Sequence, residues 1–286
     1  MSEYMIVPTD SIDATADAIK EKLGSQNDLE WGQDGFASYV EDIPSGGDPN
    51  ENLLKWGDGT LAVLDLTGIT VIEKNRFGYA STGTSFTVNA PDVLTVKDYA
   101  FQQSTKLTSV SLPKMTTLGD YVFEKCALTS VHFPKLTTIG AIGNVFLNCT
   151  SLTVAVLPAI NTILRNSYFQ GCSSLNSVDL GVPPDLYGNC FKNCSSLSVI
   201  VLRAASVIRL NNINSFDGTP FANGGTGGTI YIPKSLYDHL GDNSSSDYKA
   251  ATNWSTVDGY GTITWAKIEG SYYETRYADG TLIPTS

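Results

Sequence analysis

The stretch Phe146-Leu-Asn-Cys-Thr-Ser-Leu-Thr-Val-Ala-Val-Leu-Pro158 decides the fold of this chain. A phenylalanine is followed three residues on by a cysteine, three further by a leucine, and then by a short alternating run that ends at proline. The same order recurs along the chain. Phe101, Phe123, Phe146, Phe169 and Phe191 stand in steps of 22, 23, 23 and 22, and Cys126, Cys149, Cys172 and Cys194 each lie three residues beyond one of them. A repeat of this length is one supersecondary unit that cannot bury its own apolar face, so neighbours stack into a solenoid.

Each unit supplies one short strand. These are Thr87-Val-Asn-Ala-Pro91, Ser109-Val-Ser-Leu-Pro113, Ser130-Val-His-Phe-Pro134, Val154-Ala-Val-Leu-Pro158, Ser177-Val-Asp-Leu-Gly181 and Val199-Ile-Val-Leu-Arg203, and weaker members at 63–66 and 229–233 extend the series to about eight coils. Side chains alternate along a strand, so Val110 and Leu112, Val131 and Phe133, and Val178 and Leu180 point inward. The outward positions are Ser109, Ser111, Ser130, His132, Val154, Val156, Ser177, Asp179, Val199, Val201 and Tyr231, together with Thr87, Asn89 and Thr229. They are the candidate ligand-binding face. The four valines around Asp179 either form an exposed apolar contact patch or lie under a terminal segment or the enlarged, irregular coil at 203–228.

The returning half of each coil is expected to be irregular, with one or two helical turns at places such as Gly119-Asp-Tyr-Val-Phe123. The cysteines read as a column of small buried thiols. Parallel, in-register Cβ vectors about 4.8 Å apart do not meet disulfide geometry, and ligands on successive coils form a line instead of a zinc tetrahedron.

Charge and composition divide the rest. Residues 1–60 carry 13 acidic and 3 basic side chains, whereas 61–286 carry 16 and 15. Neither part has the basic stripe that neutralises phosphates, which sets nucleic acid aside as a partner. No apolar run is long enough to insert in a bilayer. Residues 1–45 read as a small helical module, 46–60 as a linker, 61–233 as the solenoid, and 234–286 as a mixed cap with a helix near 235–240 and an Asp279-Gly280 hairpin. The start lacks a signal-peptide pattern, so the chain as given is expected to be made in the cytoplasm, with a surface location if a leader has been removed.

Catalysis needs convergent polar groups, and the sequence supplies few. His132 sits on a strand with no partner carboxylate in its own coil, and His239 lies on the helix after the last strand. Gly224-Gly-Thr-Gly-Gly228 lacks the lysine of a phosphate loop. Asp238, Asp242, Asn243 and Asp247 lack a glutamate at the position a calcium loop requires, which Asn253 occupies. Asp179 stands alone on the ladder, whereas glycoside hydrolysis needs two carboxylates. The expectation is a non-catalytic protein without metal or cofactor.

The Phe-x-x-Cys-x-x-Leu unit leading to a Val-x-Leu-Pro strand resembles the BspA-like leucine-rich repeat family over roughly residues 61–233. That resemblance implies a leucine-rich repeat solenoid acting in adhesion or ligand binding, with a cell-surface protein or glycan as partner. Phe123-Glu-Lys-Cys-Ala-Leu128 departs by one missing residue, and Ser104 replaces cysteine in the first full coil. The stretch Ala14-Thr-Ala-Asp-Ala-Ile-Lys-Glu-Lys-Leu-Gly24 with Trp31-Gly-Gln-Asp-Gly-Phe36 is similar to a module of phage and prophage tail-associated proteins. It implies a second possibility: a structural tail component contacting virion proteins through residues 1–45.

Overall fold

The computed structural model describes residues 62–268 apart from 82, 163, 165 and 184. The expected helical module at 1–45, the linker at 46–60 and the hairpin at 272–283 lie outside the described residues. What is described is a parallel-strand solenoid of about six coils with partial coils at its ends and very little helix.

Two ladders run along it. The front ladder begins with β1 (Val63–Asp65), β3 (Phe86–Asn89) and β5 (Leu107–Ser111). It continues as a second sheet of β7 (Ser130–His132), β9 (Val154–Leu157), β10 (Ser177–Leu180), β12 (Val199–Leu202), β14 (Gly228–Pro233) and β15 (Ile263–Ile268). The Thr129 amide, donating to the Thr108 carbonyl at 3.2 Å, bridges the two sheets. Pro91, Pro113, Pro134 and Pro158 follow the strands because proline has no N–H to continue a ladder. A side ladder not anticipated from the sequence comprises β2 (Val71–Ile72), β4 (Thr95–Val96), β6 (Thr117–Leu118) and β8 (Thr138–Ile139), with β11 (Asp185–Leu186) and β13 (Arg209–Leu210) further along. Two-residue strands are too short to leave a period-2 signature.

The interior is organised in columns. Seven phenylalanines stack from coil to coil: Phe77, Phe101, Phe123, Phe146, Phe169, Phe191 and Phe216, with ring centroids 5.3 to 5.8 Å apart. Beside them the thiols form a hydrogen-bonded series. Cys126 Sγ donates to the Phe101 carbonyl at 3.0 Å, Cys149 to Phe123 at 2.9 Å, Cys172 to Phe146 at 3.0 Å and Cys194 to Phe169 at 3.0 Å. Ser104 Oγ makes the same bond to Phe77 at 2.6 Å. All five cysteines, Cys190 included, are buried free thiols. Burial pushes the Cys149 and Cys194 thiols up to about 12.

The return segments are not helical where helical turns were expected. Tyr121 has φ 55°, and the coils from Asn75 to Asn193 each place a left-handed residue at this point and another four or five residues on. The chain thus closes through two tight turns, which break a helix. Gly171 shows how closely the turns stack, since a Cβ there would lie 2.2 Å from Asn148 Oδ1.

At the far end, a 3-10 turn at Ile213–Phe216 is capped by Asn212, whose side-chain oxygen accepts from the Asn214 amide at 2.9 Å. Two short helices follow, α1 (Lys234–Tyr237) and α2 (Trp254–Asp258). Tyr248 and Trp254 are buried against the last ring, with Trp254 5.8 Å from Phe216. The Ile208 amide donates to Tyr248 Oη at 3.0 Å, and Trp254 Nε1 donates to the Ile208 carbonyl at 2.7 Å. These aromatics seal a stack whose end would otherwise expose core. β15 then adds in parallel to β14, so the ladder runs beyond the expected limit at residue 233. No helix among the described residues is long and apolar enough to cross a membrane.

Candidate binding face

The front ladder sets its outward side chains in two rows. One runs Ser109, Ser130, Val154, Ser177, Val199 and Thr229; the other runs Ser111, His132, Val156, Asp179, Val201 and Tyr231. Within β7 to β14 the residues are paired across adjacent strands: His132 with Val156, Val156 with Asp179, Asp179 with Val201, and Val201 with Tyr231.

The rows divide by burial. Ser109, Ser111 and Ser130 are exposed, and Thr87 and Asn89 beside them are half-buried. Asn89 Nδ2 donates to Asp65 Oδ1 at 3.1 Å, which continues the polar surface to the first strand. His132, Val154, Val199 and Tyr231 are half-buried. Val156, Ser177, Asp179 and Val201 are buried, at 2 % exposure or less. Of the two alternatives for the valines around Asp179, burial fits the covered one for Val156 and Val201, while Val154 and Val199 are half-buried: the centre of the face is shut off from solvent.

Its organising contact is an ion pair. Arg203 Nε donates to Asp179 Oδ1 at 2.5 Å and Nη2 donates to Oδ2, with the arginine side chain 4 % exposed and the aspartate fully buried. This two-bond fork is the geometry that makes arginine suited to buried carboxylates. Its origin is legible in retrospect. Arg203 stands where four other coils have proline after the strand, two residues beyond Val201, the partner of Asp179 in the ladder. Both residues are plain in the sequence, whereas their diagonal relation appears only once the strands are in register. A second fork joins the same two coils on the side ladder, where Arg209 Nε donates to Asp185 Oδ1 at 2.5 Å and Nη2 to Oδ2 at 2.7 Å.

Burial lowers the His132 imidazole from its ordinary range, opposed by the negative charge of Asp179. A half-buried, mainly neutral imidazole offers one donor and one acceptor at pH 7. Asp179 is held in the two-bond fork with Arg203. In the 241–247 loop, Asp242 is held down at about 2 by His239 and by Ser244, with His239 Nδ1 2.6 Å away. Asp247 accepts from the Asn243 amide at 3.0 Å and the Lys249 amide at 2.8 Å, so it organises its own loop. Among the described residues no group of three or more His, Cys, Asp or Glu side chains is placed to hold a metal.

Comparison with known proteins places this geometry. The model of the BspA type leucine rich repeat region matches residues 70–198 and 144–244 in six copies. Of solved structures, a Treponema pallidum leucine-rich repeat protein shares 23% identity, covering 52% of this chain and 72% of its own, with a TM-score of 0.45. A leucine-rich repeat protein from Bacteroides ovatus shares 16% identity, covering 72% of this chain and 66% of its own, with a TM-score of 0.38. No curated protein gives a match. No enzymatic family is indicated, and repeat proteins of this kind are generally non-catalytic. The repeat match spans well over half of the chain, which belongs to the BspA-type leucine-rich repeat family.

Proposed function

We propose that this protein is a non-catalytic binding or adhesion module that recognises a cell-surface glycan or protein through the front ladder of its solenoid. The observation that carries the reading is the open part of that face. Ser109, Ser111 and Ser130 project from strands whose inward residues Val110, Leu112 and Val131 are buried, so small polar groups are held at fixed spacing on a packed support. Preorganised contacts of this kind lose little conformational entropy on binding. His132, Val154, Val199 and Tyr231 extend the surface toward the later coils, while the buried Asp179–Arg203 pair ties two strands together at its centre.

The test is binding of the full chain to a glycan array and to whole bacterial cells, before and after Ser111→Arg and Ser130→Arg. These positions are exposed, so folding should survive. The expected result is saturable binding that weakens by about tenfold or more in the variants, as for a central contact residue. Unchanged binding in the variants, or no binding by the parent chain, would remove the proposal. Incorporation into virions dependent on residues 1–45 would replace it with a structural tail role.

A further inference from the structure

The centre of the front face is buried although its side chains point away from the core. Val156 and Val201 lie outside the core cluster, and with Ser177 and Asp179 they are at 2 % exposure or less. Arg203 crosses over Asp179, yet its own side chain is only 4 % exposed, so the cover continues outward beyond it. The two longest connections of the described chain both turn away from this face. The connection from β12 to β14 pairs Arg209–Leu210 with β11 on the side ladder, and it puts Phe216 in the phenylalanine stack with Phe221 against it. The connection from β14 to β15 sends Leu236, Tyr248, Trp254 and Val257 into the core.

Exposure along the two rows shows from which end the cover arrives. In the row nearer the C-terminal ends of the strands, Ser111 is exposed and His132 half-buried, Val156, Asp179 and Val201 are buried, and Tyr231 and Ala266 are half-buried. The other row is more open, with Ser109, Ser130 and Thr264 exposed and Ser177 buried. A segment arriving from the first coils would have to cross the serines and leave them exposed. One leaving β15 would not, because Ile268 lies two residues beyond Ala266, at the same edge of the sheet as the covered row.

We infer that residues 269–286 lie across the ends of β14, β12, β10 and β9, over Val201, Asp179, Arg203 and Val156, so that the chain's own final segment occupies this part of the front face. Length permits it: 18 residues reach about 60 Å when extended, whereas β15 to β7 is five strand spacings, about 24 Å. Composition fits as well. Tyr272, Tyr273, Tyr277, Leu282 and Ile283 supply apolar area, and tyrosine sets a polar tip beside an apolar body, which suits valines grouped around an ion pair. The inference does not rest on the binding role proposed above. An outside ligand would meet Ser109, Ser111 and Ser130 directly, and the later coils only beside this segment.

The test replaces His132 of the full chain with the photo-cross-linker p-benzoylphenylalanine and identifies the joined tryptic peptides by mass spectrometry. His132 is half-buried at the edge of the covered row, and β7 is too far along the sheet from β15 for the label to meet Ile268 in place. The expected result is a cross-link within one chain to peptide 268–276 or 277–286, and none to either from the exposed position 111. Position 199, half-buried on β12, is labelled in parallel with peptide 277–286 as its expected partner, so a variant that fails to fold does not end the test. Joining to a peptide within residues 1–61 would overturn the inference in favour of the other end of the chain. Joining between two copies would overturn it in favour of self-association, and no cross-link from either position would overturn it outright. Equal joining from position 111 would do the same, since the segment would then have no fixed seat. None of these readouts involves a glycan or a cell, so failure here and failure of the binding proposal are told apart.

Discussion

Replacing Cys149 by serine tests whether the thiol column is apolar filling or a hydrogen-bonded series. On composition alone, Cys149→Ser buries a hydroxyl in a core and carries a penalty of about 1–3 kcal/mol for the unmet polar group. The structure supplies an acceptor. Cys149 Sγ already lies 2.9 Å from the Phe123 carbonyl, and Ser104 makes the equivalent bond to Phe77 while fully buried. A neutral hydrogen bond returns about 0.5–1.5 kcal/mol, which offsets most of the lost sulfur contact. The net cost of Cys149→Ser is therefore about 1 kcal/mol or less. Cys149→Ala loses both the packing and the donor, although the Phe123 carbonyl keeps the Cys126 amide at 3.1 Å. Serine should consequently be at least as stable as alanine. Urea unfolding followed by circular dichroism resolves the order, provided the slopes of the three proteins agree, since a changed slope marks lost cooperativity in a stacked array. A serine variant less stable than the alanine variant would refute the reasoning, because it would mean the carbonyl does not serve a hydroxyl at this coil.

Three further outcomes follow from the same structure. Arg203→Ala removes the guanidinium from the buried Asp179 carboxylate and should cost about 3–5 kcal/mol, whereas Asp179→Leu combined with Arg203→Leu should recover most of it in thermal denaturation. Tyr168→Phe should leave stability unchanged or raise it by about 1 kcal/mol, because the Tyr168 hydroxyl is buried without a hydrogen-bond partner among the described residues. Alkali should weaken the fold: the Cys149 and Cys194 thiols are raised to about 12 in the folded chain, so their contribution is full below the ordinary thiol value and is lost as pH rises through the folded one. Melting temperatures across that range, with Cys149→Ala and Cys194→Ala as controls that flatten the slope, give the measurement.

The columns were legible because they repeat. Phe101 to Phe191 and the cysteines three residues on are spaced by one coil, and a spacing that constant has few structural meanings. Phe77 and Phe216 escaped because their neighbours depart from the motif: Ala80 stands where cysteine would, and Thr219 at the other end. The side ladder was hidden by its brevity, and β15 by the 29 residues of cap between it and β14. Tyr121 was read as part of a helical turn because nothing in tyrosine announces a left-handed backbone. Had the column been aligned on Asn144, Asn166 and Gly188, the requirement would have been visible.

The strand face fails to be legible for a different reason. Alternation tells which side of a sheet a residue occupies, and Val156 and Val201 lie outside the core cluster that takes their neighbours Leu157, Ile200 and Leu202. It says nothing about whether that side meets water, which depends on contacts far away in sequence. Arg203 illustrates the gap. Its replacement of proline frees the end of β12 to carry a long side chain, and that side chain reaches back over one strand to Asp179. Because strand positions alternate, the change leaves the inward neighbours Ile200 and Leu202 in place, both still buried. A solenoid of this design thus separates two kinds of residue: inward columns that must match across every coil, and outward rows in which single coils are free to differ. Differences along the outward rows, and not the shared motif, are where this chain's own binding chemistry is to be sought.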